Sequence, residues 1–216
     1  MISSSLRRQA GRSSLTLILV AAFSAGFGLW AAQILLKDEP APQFVALKVF
    51  PNARHLKDLT LESAEGELHV NQFKGQWLVL FFGYTHCPDV CPTALAALRE
   101  TFELMPDTQH PEVLFVSVDP VRDTVEKLQQ YVTFFHNDFH SATASEDILK
   151  ELTRQYSSIF YLSEADENGL YNVDHTASMF VVSPHGQLYG LFSAPQDPKQ
   201  LAADMTILAS LDMANE

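Results

Sequence analysis

The residues best suited to chemistry in this chain lie in one stretch, residues 83–92, which reads GYTHCPDVCP. It contains both cysteines of the chain, Cys87 and Cys91. A disulfide across so small a loop would restrict the unfolded chain by only about 2 kcal/mol, so the pair is expected to do chemistry rather than to staple a fold. Two sulfurs four residues apart on a helical turn can exchange electrons, bind one metal ion, or do both.

A metal site would need a further ligand, and the chain has eight histidines: His55, His69, His86, His110, His136, His140, His175 and His185. Most lone histidines are surface or core residues. His86 is a candidate because it adjoins Cys87. His175 is favoured because, in a thioredoxin-like sheet, the segment before the strand at residues 179–182 faces the cysteine-bearing helix. Two thiolates and one imidazole suit Cu(I), whereas Zn(II) would want a fourth ligand.

The elements around the cysteines are predicted from hydrophobic patterning. Residues 77–82 and 113–118 are almost entirely apolar, which is typical of strands covered on both faces. Between them, residues 92–104 carry apolar residues at helical spacing, and Pro92 suits a first helical turn. Such a unit joins parallel strands by a right-handed crossover. The cysteines then lie at a helix N-terminus, where free amides favour thiolate.

The remaining elements complete an α/β pattern. Hairpins are predicted for residues 59–62 with 67–70 and for 179–182 with 187–192, and helices after Asp123 (with Glu126 as a capping box), after Ser145 and over residues 198–211. The predicted fold is thioredoxin-like: a central mixed sheet flanked by helices, with an N-terminal hairpin and an N-terminal transmembrane helix.

The N-terminal segment has the pattern of a membrane anchor. Residues 1–14 contain Arg7, Arg8 and Arg12 and no acid, and residues 15–32 carry no charge. With residues 33–36 the apolar stretch is long enough for a bilayer core of about 30 Å, and basic residues before it favour a cytoplasmic N-terminus. The predicted organisation is a cytoplasmic segment (1–14), an anchor (15–36), a linker (37–43) and a copper-binding domain (44–216).

Two alternatives to this organisation stay open. One is a cleaved signal peptide, although the apolar stretch exceeds the usual length of about 7–15 residues. The other is a mitochondrial address, since the segment is rich in Ser and Arg and free of acid. The expected location is the bacterial inner membrane, with the domain in the periplasm, or alternatively the mitochondrial inner membrane.

The charge of the chain argues against nucleic-acid partners. The formal net charge is −12, and the N-terminal segment contributes only basic residues, so the domain itself is still more acidic. A strongly acidic surface repels phosphate backbones and anionic lipid surfaces.

Three stretches together resemble the Sco/SenC family: GYTHCPDVCP, VSVDPVRDT (residues 116–124) and YNVDHTASMFVVSPHG (residues 171–186). The resemblance covers roughly residues 50–211. It implies a membrane-anchored thioredoxin-fold copper protein that helps to assemble the binuclear copper centre of cytochrome c oxidase. The implied ligands of one copper ion are Cys87, Cys91 and His175, with subunit II of the oxidase as the partner.

The same resemblance brings in two supporting carboxylates. Asp174 matches the family pattern next to the ligand histidine and is expected to help position its loop. Asp119, in the Asp-Pro turn after a parallel strand, is expected either to line the site or simply to form the turn. Thr176 stands where the family usually has Ser, which is a conservative difference.

The function predicted from these residues is a copper metallochaperone, not an enzyme. The alternative is a thiol–disulfide reductase acting on the cysteines of the acceptor site, through a redox-active Cys87–Cys91 disulfide. A general oxidoreductase is disfavoured, because the spacing is CxxxC and residues 164–182 contain no proline that could serve as the thioredoxin cis-proline. A redox or copper sensor is a further alternative.

Overall fold

The computed structural model describes residues 6–35, 42–164 and 171–213. The chain divides into two compact units, Met1–Pro42 and Gln43–Glu216. In the first unit, the described residues form the helix α1 (Leu6–Leu35). Over the described residues no helix combines the length and the apolar character needed to cross a bilayer, so the predicted anchor at residues 15–36 is not supported. Residues 36–41, which include most of the predicted linker, lie outside the described residues.

The described residues of the second unit form ten strands and four α-helices. The strands are β1 (Leu47–His55), β2 (Thr60–Ser63), β3 (Gly66–His69), β4 (Leu78–Gly83), β5 (Glu112–Ser117), β6 (His140–Ala142), β7 (Phe160–Leu162), β8 (Val173–His175), β9 (Met179–Val182) and β10 (Gln187–Phe192); the helices are α2 (Val90–Glu103), α3 (Val125–Thr133), α4 (Glu146–Gln155) and α5 (Pro198–Met213). Six strands form one sheet in the order β1-β10-β9-β4-β5-β6.

Strand β4 is central to the sheet and carries the cysteine loop at its carboxyl end. It pairs in parallel with β5 and antiparallel with β9, and all six of its residues are buried. Alternate side chains enter opposite layers, as the pleat of a strand requires. Val79 and Phe81 pack with α2, α3 and α5, whereas Leu80 and Phe82 pack with α4 and the β2–β3 hairpin. The run is uniformly apolar because both faces of β4 are covered.

The predicted mixed sheet with helices on both faces is confirmed, as are the two hairpins. The five predicted elements β4, α2, β5, α3 and α4 are also present. The predicted capping role of Asp123 is wrong. Thr124 is the N-cap of α3, and its hydroxyl accepts a hydrogen bond from the backbone N–H of Lys127 at 3.4 Å. The Asp123 carboxylate is thereby free to turn inward.

Strands β1, β6, β7 and β8 were not predicted from the sequence. Most of β1 is exposed, and its pairing with β10 is interrupted between Val49 and Arg54, so it lacks the alternation of a half-buried strand. Strands β7 and β8 have three residues each and form a separate two-stranded sheet. This small hairpin matters for function because β8 ends at His175.

Candidate metal centre

The two cysteines lie where β4 gives way to α2. The backbone N–H of Cys87 donates to the Tyr84 carbonyl at 3.2 Å, which closes a turn before the helix begins at Val90. Cys91 is in the first turn of α2 and is fully buried, whereas Cys87 is half-buried. The predicted irregular turn from Cys87 to the helix is present, and it leaves one sulfur accessible and the other enclosed.

Gly83, the last residue of β4, makes room for the buried sulfur. A Cβ atom on this residue would lie 2.6 Å from Cys91 Sγ and 2.6 Å from Cε2 of Phe115, which is closer than nonbonded atoms approach. The requirement for glycine therefore comes from close packing under Cys91. The sequence places Gly83 in the motif, but nothing local to it indicates this contact.

His175 comes to the cysteines from the β7–β8 hairpin. Its Nε2 lies 3.3 Å from Cys91 Sγ. Its Nδ1 lies 3.3 Å from the Thr176 carbonyl oxygen, an acceptor that would hold a proton on Nδ1 when Nε2 binds a metal ion. The ring packs edge-on against Tyr84 (centroids 5.8 Å apart) and Phe81 (6.1 Å), which fixes its orientation.

Three donor atoms thus converge. Cys87 Sγ, Cys91 Sγ and one ring nitrogen of His175 lie within 4.8 Å of one another, and among the described residues no further His, Cys, Asp or Glu joins the group. A set of two sulfurs and one imidazole nitrogen, without a fourth ligand, fits Cu(I) better than Zn(II). The donor set is therefore suited to copper, and the assignment of these residues as copper ligands stays a prediction.

The two thiols differ in acidity. A hydrogen bond from the Cys91 thiol, a hydrogen bond with the His175 side chain and contacts with the backbone N–H groups of Cys91 and Asp89 outweigh burial and lower the pKa of Cys87 to about 4. Donation of that same hydrogen bond, together with burial, raises the pKa of Cys91. In the metal-free reduced protein, Cys87 is a half-buried thiolate at neutral pH and Cys91 is a buried thiol.

A buried carboxylate, Asp123, holds the cysteine loop in place. It accepts hydrogen bonds from the Thr85 backbone N–H (2.8 Å), the Thr85 hydroxyl (2.5 Å) and the Ser117 hydroxyl (2.7 Å), and Lys127 Nζ lies 3.5 Å away. The end of β5, the start of α3 and the cysteine loop therefore meet at one residue. Sequence reasoning missed this role, because an acidic residue before a helix also fits a cap.

Asp119, one of the two predicted supporting carboxylates, is fully buried and lies beside the His175 hairpin. It accepts a hydrogen bond from the Tyr171 hydroxyl at 2.7 Å and forms a salt bridge with Arg122 Nε. It therefore does more than form a turn. Neither Arg122 nor Tyr171 was predicted to take part in the site.

Two other candidates lie away from the donor atoms. Asp174 is exposed on β8, on the strand face opposite to its neighbour His175, and its backbone pairs with Tyr161. The ring of His86 is half exposed, and its Nδ1 lies 3.3 Å from Lys127 Nζ and 3.8 Å from the Asp123 carboxylate. The structure thus brings His175, and not His86, to the cysteine pair.

A mixed sheet between helical layers, with a two-cysteine, one-histidine cluster at the carboxyl end of its central strand, defines a thioredoxin-like α/β protein with a candidate metal site. The SCO1/SenC family model matches residues 52–210, and the chain belongs to that family. The mitochondrial SCO2 homolog of Bos taurus is 31% identical over 190 residues, which covers 86% of this chain and 71% of the relative.

Solved structures agree with this assignment. The solution structure of apo Sco1 from Thermus thermophilus has a TM-score of 0.67 and 34% identity, and the alignment covers 81% of this chain and 99% of that chain. The crystal structure of Arabidopsis thaliana ScoI with copper bound has a TM-score of 0.66 and 28% identity, with 72% and 98% covered. The second of these relatives contains copper.

Proposed function

We propose that this protein is a copper metallochaperone that binds one Cu(I) through Cys87, Cys91 and His175 and passes it to an acceptor protein. The observation that carries the proposal is the convergence of two sulfurs and one imidazole nitrogen within 4.8 Å. Copper in a solved family member supports the choice of metal. The copper ion is the cargo of the protein and not a resident catalytic group.

The unequal exposure of the two thiols suits transfer. Copper moves between proteins by ligand exchange, in which an acceptor thiolate joins the metal before a donor ligand leaves it. Cys87 is half-buried and anionic, so an incoming ligand can reach the metal on its side. Cys91 is enclosed by α2 and β4 and is expected to leave the copper last.

The acceptor in this proposal is the binuclear copper site in subunit II of cytochrome c oxidase. Membership of the SCO1/SenC family and the resemblance of the cysteine and histidine stretches support it. Co-purification of the copper-loaded chain with the soluble copper domain of subunit II, followed by measurement of copper on each partner, tests the step. Copper that stays on this chain in the presence of the reduced acceptor would contradict delivery.

The site itself is tested by reconstitution. The purified full chain is loaded with Cu(I) without oxygen and titrated with a chromophoric Cu(I) chelator. We expect about one Cu(I) per chain, because two thiolates and one imidazole complete a single site. Binding should be lost in Cys87→Ser and in Cys91→Ser and weakened in His175→Ala.

His86→Ala is the matched control for the histidine, since His86 adjoins the motif but faces Lys127 and Asp123. It should bind copper as the wild type does. Loss of copper in His86→Ala with retention in His175→Ala would overturn the ligand assignment, and a preference for Zn(II) over Cu(I) would overturn the proposed function.

A second candidate function, thiol–disulfide reduction of the acceptor cysteines, is favoured by the acidity difference between the thiols. The half-buried, low-pKa Cys87 can attack a disulfide, and Cys91 can then resolve the mixed disulfide. Rapid reduction of the oxidised acceptor by a chain that binds no copper would make this the main function.

Attachment to a membrane and a periplasmic location belong to the same proposal. Three arginines followed by an uncharged stretch in the sequence support them. The alternative location, the mitochondrial inner membrane, is suggested by relatives named as mitochondrial. Carbonate extraction of membranes from expressing cells tests the attachment; recovery of the full-length chain in the soluble fraction would contradict it.

A further inference from the structure

The β7–β8 hairpin, which carries His175, is not hydrogen-bonded into the six-stranded sheet. Its strands have only three residues each. A hairpin of this size is not stable alone, so its position must come from contacts with the rest of the domain. The position of His175 then depends on those contacts as much as on β8.

One set of contacts fastens the hairpin to the loop after β5. On the hairpin side these contacts are made by Tyr171, four residues before His175. The Arg122 guanidinium lies over the Tyr171 ring, 3.6 Å from its centroid, and Arg122 Nη1 donates to the Tyr171 carbonyl at 2.9 Å. The Tyr171 hydroxyl donates to Asp119 at 2.7 Å, and Asp119 is also bound by Arg122 Nε. These three residues form a closed ring of interactions, which we call the Arg122 clamp.

The clamp reaches His175 by two routes. Along the chain, Tyr171 leads into β8 through Val173, which is buried. Through space, the Arg122 guanidinium lies 5.5 Å from the Tyr84 ring centroid, and the Tyr84 ring also packs against the His175 ring at a centroid distance of 5.8 Å. Arg122 therefore contacts the segment that leads into β8 and lies near the ring that packs against His175.

We propose that Arg122, Asp119 and Tyr171 are positioning residues that hold His175 against the thiol pair and so set the copper affinity and release rate. This inference rests on the proposed copper-binding function. Groups that orient a ligand typically change metal affinity by about 10–100-fold when they are removed. Lysine cannot replace Arg122, because a compact ammonium neither stacks on a ring nor donates in two directions from one plane.

The test compares Arg122→Lys and Tyr171→Phe with the wild type in the Cu(I) chelator competition. Each should weaken copper binding about 10-fold, the lower end of the range for ligand-orienting groups. The matched controls are Tyr161→Phe, an exposed tyrosine on the facing strand β7, and Arg154→Lys, an arginine paired with Glu151 on the surface of α4. Both controls should keep the affinity of the wild type.

A double-mutant comparison separates positioning from general damage. In a His175→Ala background the clamp has no ligand to position, so Tyr171→Phe should cause no further loss of affinity. An additional loss equal to that in the single variant would overturn the proposal. Wild-type affinity in both Arg122→Lys and Tyr171→Phe would overturn it as well.

A measurement without copper separates failure of the clamp from failure of the proposed function. In the metal-free full chain, nuclear Overhauser contacts between the His175 and Tyr84 rings should weaken in Arg122→Lys and Tyr171→Phe and persist in Tyr161→Phe. Unchanged contacts in both clamp variants would overturn the clamp even if copper binds. Absence of copper binding in the wild type would overturn the proposed function, and the ring contacts would still decide the clamp.

Discussion

Replacement of Gly83 by alanine tests the claim that close packing under Cys91 sets the site. The added Cβ would lie 2.6 Å from Cys91 Sγ and 2.6 and 2.9 Å from two ring carbons of Phe115. Nonbonded contacts between such atoms ordinarily begin at about 3.5 Å, so the neighbours must retreat by about 1 Å. Both neighbours are fully buried.

The cost of this substitution follows from the packing. Overfilling a tight core costs about 1–3 kcal/mol, and the lower flexibility of the unfolded alanine variant returns about 0.4–1 kcal/mol. A net loss of about 1–2 kcal/mol corresponds to a melting temperature lower by about 2–8 °C for a domain of this size. Displacement of Cys91 Sγ from its position 3.3 Å from His175 Nε2 should also weaken Cu(I) binding on the order of 10-fold.

The assay pairs thermal unfolding of the metal-free chain with Cu(I) chelator competition. Gly190→Ala is the matched control, because its Cβ would lie 2.6 Å from the Lys48 carbonyl in the β1–β10 pair, two strands away from β4. It should lose stability and keep its copper affinity. If Gly83→Ala keeps both the melting temperature and the affinity of the wild type, or if Gly190→Ala loses affinity equally, the packing argument is refuted.

Three further predictions concern the thiols, the sheet edge and the start of the domain. In the reduced, metal-free chain at pH 6, iodoacetamide should modify Cys87 and spare Cys91, because the pKa of Cys87 is about 4 and that of Cys91 is raised; equal labelling by mass spectrometry would contradict this. The Glu112 carboxylate, 2.9 Å from His140 Nε2, raises the pKa of His140, so the pair stabilises the fold below about pH 6.5 and that contribution is lost as pH rises through the raised pKa. Glu112→Gln should therefore cost about 0.5 kcal/mol at pH 5.5, the scale of a solvent-screened pair, and almost nothing at pH 9; an equal loss at both pH values in urea titrations would be the contrary result. The buried Asp204 carboxylate accepts hydrogen bonds from the backbone N–H groups of Val45, Ala46 and Leu47 at 2.7 Å each. Asp204→Asn should therefore lower the free energy of unfolding by about 1–3 kcal/mol. An unchanged midpoint of urea unfolding would show that these bonds do not stabilise the fold.

The sequence was sufficient to predict the strand and the helix that position the two cysteines. The unbroken apolar run before the motif predicted β4, and helical spacing with Pro92 near the start predicted α2, because both patterns repeat within one element. Together they placed Cys87 and Cys91 at a strand's carboxyl end. The N-terminal anchor was predicted from the same kind of pattern, yet the described residues contain no helix that could span a bilayer.

The contacts that set the geometry of the site could not be predicted from hydrophobic patterns within one element. The need for glycine at position 83 depends on where Cys91 Sγ and the Phe115 ring meet, and Phe115 lies on another strand. The hairpin that carries His175 has strands of three residues each, too short to show an alternation. Its existence follows from tertiary contacts, which short-range periodicity does not record.

The loop of residues 119–123 shows why these contacts escape sequence reasoning and why they matter. Asp119, Arg122 and Asp123 each fit an ordinary turn or cap, and their actual partners are distant in sequence: Asp123 binds Thr85, 38 residues away, and Asp119 binds Tyr171, 52 residues away. One short loop therefore holds both the cysteine turn and the His175 hairpin. A small movement of this loop would change the distance between the sulfurs and the imidazole without altering any ligand. Substitutions there are accordingly expected to change copper affinity more than their distance from the donor atoms suggests.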